Sequence, residues 1–325
     1  MSWFTDAKLH VVTGKGGTGK TTLAGSLALA LATGGRTVLL VEVEDRQGIA
    51  QLFDVPPLPY EEKRVATAIG GGEVYGLAVD AEEALLEYLD MFYNLRRAGR
   101  ALKRIGAIDF ATTIAPGMRD VLLTGKVMEA ATRERRGGGR LYDSVVLDAP
   151  PTGRIARFLN VNAEVAGLAR MGPIRKQADS VMRLLRSKQT AIHLVTLLEE
   201  MPVQESIDGV KELSGSGLQL GAIFVNMVRK PLLDGATLSA AAAGELDAGD
   251  LSRGLKAAGI DPTDQMLTAL AGEAFDHAAR VALESRERDR LAELELPTIE
   301  LPALPDAAEL SGLQDLARRL REAAA

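Results

Sequence analysis

The chain contains no cysteine. That removes disulfides, iron–sulfur clusters and thiolate zinc sites at once. Histidine is almost as scarce. His10, His193 and His277 are the only three, far apart and without ligand spacing, which argues against a transition-metal site. His10 and His193 lie inside apolar runs, where a satisfied core histidine is expected. An excess of positive charge is also missing. The formal net charge is -6, and general nucleic-acid binding leans on neutralising phosphates, so no specific nucleic-acid partner is expected. No apolar run reaches the ~20 residues of a membrane span. The opening Met1–Asp6 lacks the basic-then-apolar pattern of a secretion signal. A cytoplasmic protein is expected, one that serves a membrane, if at all, from outside the bilayer.

What is present is apolar and alternating. Of 325 residues, 46% are hydrophobic, enough for a substantial core. Leu9 to Thr13, Thr37 to Val43, Val74 to Val79, Ser144 to Asp148, Ala191 to Leu198, Leu218 to Asn226 and Pro297 to Leu301 read as strands. They are nearly continuous in apolar residues, as strands covered on both faces are. Helical patterns separate them, so the order predicts an α/β fold with a mostly parallel, doubly wound sheet. Residues 81–136 and 155–188 exceed what one crossover needs, and are expected to form a helical subdomain over the carboxyl edge of the sheet, where such folds bind ligands. The whole of 1–325 is otherwise read as one domain. Residues 231–265, rich in Ala, Gly and Asp, look like surface structure; Gln265 to Leu294 resumes a long helical pattern.

The sharpest motif is Gly14-Lys15-Gly16-Gly17-Thr18-Gly19-Lys20-Thr21, followed by Thr22. It fits G-x-x-x-x-G-K-[ST], follows an apolar strand and opens an Ala/Leu-rich helix, the context that motif requires. Its glycines let backbone N–H groups turn inward around phosphate oxygens, and the helix directs its positive end at the same anion. Lys20 should contact the β- and γ-phosphates of ATP, and Thr21 should ligate Mg²⁺. Asp148, at the end of a buried strand, has the geometry expected of a Walker B aspartate near Mg²⁺.

Lys15 makes the loop unusual. Together with Asp148-Ala-Pro-Pro-Thr-Gly-Arg-Ile-Ala-Arg157, it resembles the arsenite-pump and tail-anchored-protein-targeting ATPase family, which shares a deviant phosphate loop with the Min/Par partitioning ATPases. Ala115-Pro-Gly117, Ser187 to Glu205 and Val225-Asn226 also resemble family segments. The resemblance implies an ATPase that dimerises around nucleotide, as a homodimer or with a paralogue. It implies that Lys15 reaches the partner's phosphates, stabilising charge on the transferring phosphoryl group. It places Asn226 at the adenine edge, where an amide offers both a donor and an acceptor.

The first switch departs from the family. Where the family has D-P-A-H-S, this chain has Glu42-Val-Glu-Asp-Arg-Gln-Gly48. Glu44 aligns best with the family aspartate that orients the attacking water, and the neighbouring Asp45 is the alternative. Glu is one methylene longer than Asp, and a misplacement near 1 Å can slow a reaction ~100-fold. Glu42 and Glu44 can also be read as solvated charges at a strand end. Arg154 stands where the family has histidine.

The client is open. Family pump ATPases sense soft metalloids through cysteine thiolates, and eukaryotic targeting members carry a CxxC zinc clamp; this chain can do neither. Met91, Met118, Met128, Met171 and Met182 fall in or near the helical insertions, where they suit either a flexible groove or plain core. Arg96 to Arg104 holds five basic residues and no acidic one, facing a protein, anionic lipid or solvent. Leu310 to Arg321 is amphipathic but lacks aromatic anchors, so a helix docked on the core is expected rather than a membrane grip. Besides the ATPase with a protein or membrane-linked client, two readings stand: a partitioning-type ATPase on a membrane or nucleoid, and a weakly catalytic subunit paired with a paralogue.

Overall fold

A computed structural model describes residues 4, 6–44, 46–93, 117–135, 137–168, 173–307 and 309–324. Asp45, most of Arg96–Gly117 and Met171 lie outside the described residues. The strands are β1 (Leu9–Gly14), β2 (Thr37–Glu42), β3 (Lys63–Thr67), β4 (Glu73–Ala78), β5 (Ser144–Asp148), β6 (Thr190–Thr196), β7 (Leu220–Val228) and β8 (Thr298–Pro302). They form one sheet in the order β3-β4-β2-β5-β1-β6-β7-β8. All neighbours are parallel except β3 and β4. β3 does not stand out in the sequence. Lys63 and Arg64 are exposed, and it closes an antiparallel hairpin at the sheet edge. An edge strand with one wet face has no continuous apolar run, and its charges discourage edge-to-edge pairing.

The helices are α1 (Lys20–Ala32), α2 (Gly48–Leu52), α3 (Ala81–Tyr93), α4 (Met118–Thr132), α5 (Thr152–Leu168), α6 (Pro173–Leu185), α7 (Glu200–Gly215), α8 (Gly235–Ala243), α9 (Ala248–Ala257), α10 (Asp264–Ala292) and α11 (Leu310–Ala324). Side chains alternate between two faces, as strand geometry demands. Val12, Val38, Leu40, Val146 and Phe224 pack under α1, α2 and α11. Val11, Leu39, Val41, Val145 and Leu147 pack under α3 to α6. The helix α1 is apolar all round because it is buried on both sides, between the sheet and α11. The amphipathic face expected at the carboxyl terminus docks here: Leu313, Leu316 and Leu320 are buried in α11. On the other face Met128 and Met182 pack into the core, whereas Met118 is exposed.

Residues 231–265, expected as surface structure, hold α8 and α9, and α9 buries no residue. Asp234 and Asp247 cap these helices by accepting from Thr237 N and Asp250 N. Among the described residues no helix is long and apolar enough to cross a membrane. His10 and His193 meet on adjacent central strands, their Nδ1 and Nε2 atoms 3.1 Å apart. Ala222 N donates to His193 Nδ1, so His193 carries its proton on Nε2 and donates to His10.

Candidate nucleotide site

The carboxyl ends of β1, β2, β5, β6 and β7 lie on one edge, and the chemistry-bearing residues gather there. Gly14 ends β1 and lies against the Val195 backbone carbonyl of β6; a Cβ would collide with it. The loop folds back on itself: Thr18 Oγ1 donates to Lys15 O at 2.8 Å, and Thr18 N approaches the same carbonyl at 3.3 Å. Gly19 starts α1 in the left-handed region at φ 88°, a conformation natural to glycine. No side chain caps α1. The first-turn N–H groups of this helix are therefore left for an anion.

Lys20 Nζ makes only a long contact with Lys15 O, 3.5 Å, among the hydrogen bonds of the loop. Burial lowers its pKa, while Asp148 and Glu44 act in the opposite sense. Thr21 Oγ1 donates to Asp148 Oδ2 at 2.6 Å. Burial pushes the Asp148 carboxyl up to about 6, against the pull of the Thr21 hydrogen bond and of Lys20. Asp148 Oδ1 is buried without a hydrogen-bond partner. Thr22 lies in the first turn of α1, where its carbonyl accepts from Ser26 Oγ.

Glu42 pairs in register with Asp148 across β2 and β5. It is not a solvated strand-end charge: it is 4% exposed. One oxygen accepts from Ile49 N at 2.8 Å. The other is buried and unpartnered. Two carboxylates on neighbouring strands thus each leave one oxygen orphaned, an arrangement that a bound cation relieves. Glu44 is partly buried too, with Arg154 Nη1 at 3.5 Å and Arg46 at 3.9 Å. Arg154 belongs to α5, so the ends of β2 and β5 communicate through an ion pair.

Asn226, at the end of β7, donates from Nδ2 to Thr18 O at 2.9 Å. One amide hydrogen therefore holds the loop, leaving the other hydrogen and Oδ1 for a ligand. Beside it opens a cavity of about 400 Å³, lined by Leu198, Met227, Val228, Arg280 and Leu283 among others. It has the size and mixed character of a small-molecule site.

The loop, the Thr21–Asp148 pair and the cavity together make a nucleoside triphosphate the natural ligand, and the comparisons decide which proteins share them. Residues 7–187 match the anion-transporting ATPase family. The chain belongs to that family. ATPase BagA of Mycobacterium tuberculosis is 52% identical over 99% of this chain and 94% of its own length. The arsenical pump-driving ATPase of Acidiphilium multivorum is 26% identical, covering 93% of this chain and 53% of the relative. ATPase GET3 of Kluyveromyces lactis is 29% identical, over 67% of this chain and 71% of the relative. The resemblance read from the two motifs is thus borne out, and with it ATPase activity and nucleotide binding as family properties.

In this anion-transporting ATPase the structure also shows a contact that the motifs did not mark. Lys15 Nζ lies 3.0 Å from Glu205 Oε1, although the two are far apart in sequence. Thr152 Oγ1 donates to Glu205 Oε2 at 3.0 Å. No sequence pattern announces such a pair; only the packing of α7 beside the loop creates it.

Proposed function

We propose that this ATPase is Mg²⁺-dependent, that its turnover drives motion of a dimer, and that it acts on a protein or membrane-linked client from the cytoplasm. The observation that carries the metal reading is the pair of orphaned, buried oxygens on Glu42 and Asp148 beside the Thr21 hydroxyl. Hard oxygen donors of this kind suit Mg²⁺. Thr21 and Asp148 would hold the ion, which supplies charge neutralisation at the β- and γ-phosphates when bound.

The chain's own residues do the rest. The loop from Gly14 to Thr22, with Gly16, Gly17, Thr18 and Gly19, wraps the phosphates with backbone N–H groups. Lys20 binds the terminal phosphates as a point charge. Glu44 orients the attacking water and accepts its proton; Asp45 is the alternative. Asn226 offers its remaining amide hydrogen to the base in the neighbouring cavity. Lys15 stabilises charge across the dimer. Helices α3 to α6, which fall in the two insertions, meet the client.

The experiment is Mg²⁺-dependent ATP hydrolysis by the purified chain, with Thr21→Ala and Asp148→Asn beside it, and sedimentation with and without nucleotide. Turnover that ignores Mg²⁺, or a sedimentation rate that ignores nucleotide, would overturn the proposal. A second reading has its own support. Glu44 is one methylene longer than the family aspartate and is engaged by Arg154. That favours a slow subunit completed by a paralogue, in which case turnover rises when the paralogue is added.

A further inference from the structure

Among the described residues, Glu205 is the carboxylate that touches both the phosphate loop and the segment after Asp148. Its Oε1 pairs with the Lys15 ammonium at 3.0 Å. Its Oε2 accepts from Thr152 Oγ1 at 3.0 Å. Thr152, 3% exposed, opens α5 and follows Asp148 by four residues. Glu205 sits on neither element; it is carried by α7. The side chains of Lys15 and Glu205 are 30% and 34% exposed, so solvent screens the pair and keeps it weak. A polyphosphate carries several negative charges and would displace such a pair. Keeping it in place would hold a carboxylate against those same phosphates, with like charges opposed.

We propose that Glu205 is a positioning residue. It holds Lys15 off the phosphates in the nucleotide-free chain, and its grip on Thr152 ties the release of Lys15 to the start of α5. Nucleotide arrival is thereby reported to the helix that follows Asp148 and carries Arg154. This rests on the reading of Gly14–Thr21 as the phosphate site. It adds a residue that is neither in the loop nor in the switch.

Glu205→Gln separates charge from shape. The amide keeps the size and still accepts from Thr152, but loses the charge that holds Lys15. Calorimetric titration of the full chain with Mg²⁺ and the β,γ-imido analogue of ATP would compare wild type, Glu205→Gln, Lys15→Ala and the double variant. Glu205→Gln should tighten binding by about threefold, the scale of a partly exposed ion pair. In the Lys15→Ala background it should change nothing. Equal tightening in both backgrounds, weaker binding, or no change with Lys15 present would overturn the proposal. Lys20→Ala guards the premise. If it binds as wild type does, the phosphate-site reading fails; if it loses binding while Glu205→Gln is silent, only the role of Glu205 fails. Amide exchange supplies a second readout. The analogue should speed exchange at the first turn of α5 in wild type, and Glu205→Gln should show that faster exchange without nucleotide. Identical exchange in the two ligand-free proteins would refute the link to Thr152.

Discussion

Acid should loosen the sheet directly beneath the phosphate loop. His10 and His193 are both 0% exposed and share one hydrogen bond across β1 and β6. Burial lowers the His10 pKa from 6.5 to about 4, with Arg36 and Lys8 adding to it and the Ala7 backbone opposing it. Burial also holds His193 well below its ordinary value, with His10 contributing. Both folded pKa values are depressed. Their contribution is therefore complete above the unfolded value of 6.5 and is lost as pH falls towards the folded one, because the unfolded chain takes up protons first. Each unit of separation is worth 1.36 kcal/mol, so His10 alone removes about 2 kcal/mol by pH 5 and roughly 3 kcal/mol by pH 4, towards a full loss of about 3.4 kcal/mol in stronger acid. His193 adds a loss of the same sign. Urea unfolding followed by far-UV circular dichroism at pH 7.5, 6 and 5 measures it, against His10→Asn as a non-titrating control. The variant is less stable at pH 7.5, but its stability should fall less steeply, by up to about 1.4 kcal/mol per pH unit. Parallel loss in the two proteins would show that the carboxylates, not this pair, set the acid limit.

The other expectations concern the site and its scaffold. Lys20→Ala should weaken ATP binding by about 10- to 100-fold, the scale of a lost charge-assisted hydrogen bond; unchanged calorimetric affinity would remove the loop from the phosphate site. Glu44→Gln should leave ATP affinity near wild type and slow single-turnover hydrolysis by ~100-fold, with Asp45→Asn doing much less. The reverse pattern would move the water-orienting role to Asp45. Leu316→Ala should destabilise the fold by about 2–5 kcal/mol in urea titrations, because the side chain is buried between α11 and α1. Nucleotide affinity of the folded variant should be unchanged, and a large affinity loss would mean that α11 helps shape the loop.

Legibility followed burial. Strands buried on both faces, such as β1, β2, β5 and β6, appear in the sequence as apolar runs because nothing polar is tolerated on either side. β3 escaped because its residues are half wet, and Lys63 and Arg64 resemble a loop. The phosphate loop was legible because backbone geometry dictates its glycines and charge dictates Lys20. The contacts around it were not. Glu205 reaches Lys15 from another helix, and Arg154 reaches Glu44 from another switch. Such pairs arise from packing, not from spacing. Glu42 shows where the sequence left two readings open: at a strand end a glutamate can look solvated, yet the Ile49 N–H and the neighbouring α2 turn bury it.

The departures at the first switch are therefore connected rather than scattered. A carboxylate at Glu42 faces Asp148 across the sheet, where an uncharged side chain would leave Asp148 less strained by repulsion. Two like charges at one edge are tolerable only if something cationic is close, and Lys20 is the resident cation that acts on Asp148. Lys20 is itself partly desolvated, so it cannot both neutralise two carboxylates and bind phosphate at full strength. A site built this way is short of positive charge before ligand arrives. Arg154 beside Glu44 and Arg46 nearby supply some of it from the rim. Lys15, the remaining cation of the loop, is committed to Glu205. The electrostatic balance of the edge is then completed by what binds there, which is why removing single charges should change nucleotide and metal affinity more than it changes the fold.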